Sequence, residues 1–332
     1  TGNSSMSGFL TISIDFELFW GVRDVCSIEG YGPRILGYRQ AVPAMLNLFR
    51  EFDVAATWAV VGCAACTNKK ELLAFAPTLR PGYLDEDLDP YAYLERVGSD
   101  ESTDPYHFGG SLVRQIVATP RMELGSHTFS HFYCLEERRE AGAFRADLAS
   151  SRAILRRFDC QPASLVFPRN QYDEWHLGEA AAEGFTVFRG NEDHVLFRPR
   201  GREGQSAWIR VGRLADSYLN LTGDHPADPR RDASTLINVP SSRLLRAFNA
   251  RLSLLEPMRL ARIAEELERA AKRGGGYHLW WHPHNFGNDL AENLNFLRRV
   301  LERFRRLREE TGMRSLTMAE AAGEGGGPRS QP

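Results

Sequence analysis

Long hydrophobic runs are missing from this chain of 332 residues. A helix needs roughly 20 consecutive apolar residues to cross a bilayer, and no stretch approaches that. Charge of one sign is missing too: 41 Lys and Arg stand against 43 Asp and Glu, a formal net charge of −2. That balance removes the usual electrostatic argument for a nucleic acid partner. Cysteine is scarce and odd in number. Cys26, Cys63, Cys66, Cys134 and Cys160 are scattered, which is not a disulfide framework. Cys63 and Cys66 form a CxxC, but no second pair or neighbouring His completes a zinc site, so they read as packing after a strand. After Met6 no charged segment leads into an apolar one, as a secretory leader would. The expectation is a cytoplasmic protein with no membrane span. The residues TGNSS before Met6 read as a remnant of tag removal, and the Gly/Pro/Ser-rich tail 323–332 as disordered.

What is present is ordinary globular material, 42% hydrophobic and 25% charged. Short apolar, β-branched runs lie at 9–14, 54–62, 122–125, 163–167, 185–188, 236–239 and 277–281. Helical patterns over 35–51, 111–118, 135–158, 173–183, 256–273 and 289–310 alternate with them. A closing strand at 314–317 and a small helix follow. Residues 67–105 and 192–233 are irregular and read as two insertions over one rim. This alternation predicts an α/β fold, a distorted (β/α)7 barrel forming a single domain over 9–320.

Strand after strand ends in polar or ionisable residues, and parallel barrels place their chemistry at that end. The first strand delivers Asp15 and Glu17, which are two apart and so point the same way on extended backbone. After the third come His127 and His131. Four residues apart on a helix or helix-like turn, they share a face and can take one zinc-like ion. The fourth ends in Pro168-Arg169-Asn170, the fifth in Arg189-Gly190-Asn191 and the seventh in His282-Pro283-His284. Trp280 and Trp281 precede His282, and only one of them can face a site, because neighbours on a strand point opposite ways. His107, His176, His194, His225 and His278 read as structural or solvated.

With these motifs in order, the sequence resembles the polysaccharide deacetylases, the NodB homology domain or carbohydrate esterase family four. Ser13-Ile14-Asp15-Phe16-Glu17 stands at the family's acidic first motif. Ser126-His127-Thr128-Phe129-Ser130-His131 fits its second, H-[ST]-x-x-H. Phe167-Pro168-Arg169, Phe188-Arg189-Gly190-Asn191 and Leu279-Trp280-Trp281-His282 stand at the third, fourth and fifth. The ending Ser315-Leu316-Thr317-Met318-Ala319-Glu320 looks like the family's closing segment. The resemblance spans 9–320. It departs from the family where two adjacent aspartates give way to acids separated by Phe16, and where Pro168 and Arg169 stand in altered order.

The resemblance implies metal-dependent hydrolysis of an N-acetyl or N-formyl group on an amino sugar, free, nucleotide-linked or lipid-linked, in cell-surface glycan biosynthesis. By order, Asp15 would be the base, and Glu17, His127 and His131 would hold one divalent ion, zinc by preference. His282 would be the acid, and Arg169 would orient the base. Arg189, Asn191, Trp281, His284 and Asn170 are candidate substrate contacts. Which of Asp15 and Glu17 binds the metal stays open. Two rivals remain: a metal-dependent barrel hydrolase of a non-sugar amide or phosphoester, and an inactive glycan-binding protein on the same fold.

Overall fold

The structure, a computed structural model, describes residues 7–138, 142–201, 204 and 206–324. The expectations for residues 1–5, and for the tail from 325 onward, lie outside that set. Ten strands form one sheet: β1 (Phe9–Phe16), β2 (Ala56–Val60), β3 (Met122–Ser126), β4 (Ser164–Leu165), β5 (Val187–Phe188), β6 (Arg230–Arg231), β7 (Ile237–Asn238), β8 (Arg243–Leu244), β9 (Gly276–Trp281) and β10 (Arg314–Leu316). Their order is β6-β7-β5-β4-β3-β2-β1-β9-β8, with β10 beside the start of β1. Every pairing is parallel except β6 with β7.

The sheet curls, and one chain segment bridges its two sides. Ile237, Val239 and Ser241 donate their amides to Thr186, Phe188 and Gly190 on the β5 side. Ser242 and Leu245 donate to His278 and Trp280 of β9. Counted as one staggered strand, β7 and β8 complete the seven of a (β/α)7 barrel, as the alternating pattern predicts.

β1 is buried along its whole length because both of its faces are covered. Leu10, Ile12, Ile14 and Phe16 pack outward against the helices Tyr38–Phe52, Glu256–Arg273 and Leu290–Thr311. Thr11, Ser13 and Asp15 alternate inward. The lower end of the barrel is filled by Phe9, Ala59, Val166, Val187 and Val239 against Met318, Ala321 and Ala322 of the closing helix Met318–Glu324. Apolar filling below and polar residues above leave chemistry one place, at the upper rim.

Some element boundaries differ from expectation. The helix expected over 35–51 is two, Ile28–Leu36 and Tyr38–Phe52, joined at Gly37. A Cβ at residue 37 would lie 2.2 Å from the Gly287 Cα, so that junction admits only glycine. Of the helix expected over 135–158, the described residues show the α-helix Ala143–Leu155 followed by a 3-10 turn Arg156–Phe158. The insertion 67–105 contains the helix Lys69–Phe75, and the insertion 192–233 contains Ala207–Asp216.

Candidate metal centre

His127 leaves the end of β3 and His131 follows it, yet the segment between them is not helical. Thr128 (φ 63°) and His131 (φ 59°) are left-handed, and the chain runs as a tight loop. The shared-face reading of the spacing is therefore corrected: loop geometry, not helix periodicity, brings the two rings together, 5.3 Å apart at their centroids. Gly62 and Cys63 donate their amides to Thr128 and Phe129. Buried Asp147, on the helix Ala143–Leu155, accepts from the amides of Phe129 (2.6 Å) and Ser130 (3.2 Å) and from the Ser130 hydroxyl.

Three histidines converge on one oxygen. Glu17 Oε1 lies 2.9 Å from His127 Nε2, 3.2 Å from His131 Nε2 and 3.4 Å from His282 Nε2. His127 Nδ1 donates to the Val166 carbonyl at 2.8 Å, which leaves Nε2 as the ring nitrogen that faces Glu17. His131 is buried, and burial pushes its pKa down to about 4 against the pull of Glu17, which keeps it neutral. Neutral imidazoles and a carboxylate are the donor set that zinc-like ions take, and Glu17, His127 and His131 hold their ligand atoms within 4.8 Å of one another. The residues present fit such an ion. Burial works against ionised Glu17, but the charge of His282 and the hydrogen bonds with His127 and His131 outweigh it and hold the carboxyl well below its usual range. Gly21 lets the chain pass this carboxylate, because a Cβ there would lie 1.9 Å from Glu17 Oε2.

Asp15 sits beside this cluster and is also buried. Arg189 grips it with two parallel bonds, Nη1 to Oδ1 at 2.7 Å and Nη2 to Oδ2 at 2.8 Å. Burial alone would raise the Asp15 pKa; Arg189, His127 and His282 lower it more, so the carboxylate stays charged. Arg189 also donates to Ser13 Oγ (2.9 Å) and Asn170 Oδ1 (3.0 Å), and it lies 4.3 Å from the Trp280 ring centroid. His282 Nε2 is 3.7 Å from Asp15 Oδ2. Burial lowers its pKa, yet Glu17 and Asp15 together raise it above the usual histidine value. Its side chain is 22% exposed against 4% for Glu17, so it is more open to the cleft than Glu17.

Two expected roles change. Arg169 does not touch Asp15. It is left-handed (φ 57°), pairs with Asp24 and lies over the Tyr133 ring, so the place beside Asp15 belongs to Arg189. Trp281 does not reach the cleft either; it is fully buried against Phe49, Phe286 and Met45, and Trp280 faces the site. The remaining candidates are near. Asn170 buttresses Arg189, and Asn191 donates to the Asn170 and Phe197 carbonyls. His284 is buried and stacked on His282 at 4.8 Å, and burial with that neighbour takes its pKa to about 3. Sequence reasoning missed Asp24, Tyr133 and Tyr38. The Tyr38 hydroxyl accepts from the Glu17 and Leu18 amides, and no local pattern signals that. A cleft of about 570 Å³ opens over Asp15, Glu17, His131, His282, His284 and Trp280.

The sequence matches the family model for polysaccharide deacetylase over residues 32–188. No curated protein matches it. Among solved structures, one from Mycobacterium smegmatis, described provisionally as a polysaccharide deacetylase, superposes with a TM-score of 0.62 at 14% identity, covering 97% of this chain and 91% of that one. A GH57 branching enzyme from Thermococcus kodakaraensis gives 0.59 at 14% identity, with 97% and 72% covered. The PuuE allantoinase gives 0.56 at 12% identity, with 97% and 91% covered. At such identities the likeness speaks for the fold.

Proposed function

Taking the chain as a divergent member of the polysaccharide deacetylase family, we propose that it is a metal-dependent deacylase that hydrolyses the N-acetyl or N-formyl group of an amino sugar. The observation that carries this reading is the convergence of three histidine Nε2 atoms on one Glu17 oxygen, with a charged Asp15 alongside. Glu17, His127 and His131 would hold a divalent ion, zinc by preference. When bound, that ion supplies Lewis acidity, polarising the acyl oxygen and acidifying water.

The chain's own residues supply the rest. Asp15 takes a proton from the attacking water, and Arg189 positions it by fixing both carboxylate oxygens. His282, at the cleft edge, gives a proton to the nitrogen as the carbon–nitrogen bond breaks. An amine leaves poorly unprotonated, and a histidine with a raised pKa holds its proton near neutrality. Trp280 offers a flat face to the sugar ring. Asn170, Asn191, Arg169 and His284 surround the place where the sugar would lie. A role in cell-surface glycan biosynthesis fits this chemistry.

The test is release of free amine from N-acyl amino sugars by zinc-loaded protein. Asp15→Asn should retain the metal and lose at least 100-fold in kcat, the scale of general base catalysis. His127→Ala should lose metal and turnover together. Full metal content in His127→Ala by elemental analysis would sink the site assignment.

A further inference from the structure

A histidine ring turns readily about its last side-chain bond, because that torsion is broad and roughly two-fold. An acid that gives a proton to a leaving nitrogen needs a fixed ring plane, since a misplacement of about 1 Å can cost about 100-fold in rate. The polar contacts of His282 are too long to supply that alone. Its Nε2 lies 3.4 Å from Glu17 Oε1 and 3.7 Å from Asp15 Oδ2, beyond the roughly 2.7–3.2 Å of a well-made N–H···O bond.

Ring packing supplies the rest. His284 lies nearly parallel to His282, with 4.8 Å between centroids and 18° between planes. Trp280 meets the same ring steeply, at 5.6 Å and 66°. The turn after β9 makes the stack. Pro283, whose ring fixes its φ, begins the 3-10 turn Pro283–Asn285, and the Asn285 amide closes it on the His282 carbonyl at 2.9 Å. His284 is thereby folded back beside His282.

His284 is itself held. It is buried, Tyr31 meets it edge-on at 5.6 Å and 73°, and Tyr38 lies tilted against it at 6.2 Å. Tyr31 and Tyr38 come from the two helices joined at Gly37, Ile28–Leu36 and Tyr38–Phe52. That junction touches Gly287, whose amide donates to the His284 carbonyl at 3.1 Å. The close approach of the two glycines seats both tyrosines against the turn that carries the histidine pair.

We propose that His284 is a positioning residue for the acid: its flat ring fixes the plane of His282, so that the ring N–H of His282 meets the departing nitrogen. The proposal rests on the deacylase reading, in which His282 protonates the amine. A contact between His284 and the sugar alone would need neither the parallel rings nor the tyrosine wall behind them.

Two variants separate a flat face from mere filling. His284→Leu keeps apolar volume against Tyr31 and Tyr38 but has no planar ring. His284→Phe keeps the ring without its nitrogens. With zinc-loaded full-length protein and an N-acetyl amino sugar, His284→Leu should lose about 10- to 100-fold in kcat, with KM and metal content near wild type. His284→Phe should recover to within about 3-fold of wild type. On nitrophenyl acetate, whose phenolate leaves without a proton, the loss in His284→Leu should be several-fold smaller. A Phe variant as slow as the Leu variant, an equal loss on amide and ester, or a raised KM with unchanged kcat would each overturn the proposal. A readout without turnover is the ring proton NMR signal of His282, identified by its absence in His282→Gln. It should broaden in His284→Leu and stay sharp in wild type and His284→Phe, and equal sharpness in all three would also overturn the proposal. The expected signals in a wild type that frees no amine from any N-acyl amino sugar would sink the deacylase reading and leave the stack as the feature that orients His282.

Discussion

Asp15 and Arg189 are both removed from water, and their mutual bonds, with the flanking Ser13 and Asn170, offset much of that loss. Removing one partner strands the other as a buried charge. Arg189→Ala should therefore cost about 3–5 kcal/mol in urea unfolding. Arg189→Lys keeps the charge but not the two-pronged grip, so it should recover much of the stability while kcat stays depressed. Unfolding of Arg189→Ala at the wild-type midpoint would exclude the structural part of this account. The same pair shows what the sequence conceals at this scale. Arg169 and Arg189 both follow a strand, and motif order favours Arg169. The decision lies in the backbone, because a left-handed residue 169 sends its side chain to Asp24. Asp15, by contrast, is legible through strand alternation, whereas Glu17 lies one residue past β1 with a helical backbone (φ −114°, ψ −27°), so the extended-backbone reading holds for Asp15 and not for Glu17. Period two also announced that Trp280 and Trp281 diverge, but not which of them faces inward.

The element that presents the histidines is a loop pinned by one carboxylate. Asp147 has no water to stabilise its charge, and burial outweighs the three hydrogen bonds it accepts, raising its pKa from 3.8 to about 6. Below about pH 4 the folded and unfolded chains both hold the proton. Between about 4 and 6 the unfolded chain releases it first. The folded state then binds more protons, so this group's contribution to stability falls as pH rises, by on the order of 3 kcal/mol. Asp147→Asn cannot titrate. The stability difference, wild type minus variant, should fall between about pH 4 and pH 6 and level off above that in urea unfolding; a flat difference throughout would mean an ordinary Asp147. Sequence pattern marked the HxxxH spacing but not its support. Asp147 is 16 residues beyond His131 on a separate helix, and only tertiary packing brings it under the loop.

At the scale of the whole barrel, a polar relay ties the strands together above the apolar plug. His278 of β9 lies 3.2 Å from the Pro240 carbonyl and 3.3 Å from the Val239 carbonyl through Nδ1, and 2.8 Å from Ser13 Oγ through Nε2. Carbonyls only accept, so Nδ1 carries the hydrogen and Nε2 accepts from the Ser13 hydroxyl. Burial and Arg189 push the His278 pKa down to about 3, so the ring is neutral across the working range. Ser13 in turn accepts from Arg189, which holds Asp15. The bridging segment between β7 and β8, the two central strands and Asp15 are thus one chain of bonds. The (β/α)7 plan was readable because strand and helix periods alternate; this relay was not, since it joins residues 265 apart. Ser13→Ala leaves His278 Nε2 without its donor and Arg189 without one acceptor. The cost should be about 1–3 kcal/mol, the penalty of buried polar groups left unpaired. Because the loss falls on the group that orients Asp15, kcat should drop while metal content by elemental analysis stays at the wild-type level. A variant that lost stability with kcat unchanged would make the relay structural alone, uncoupled from the base.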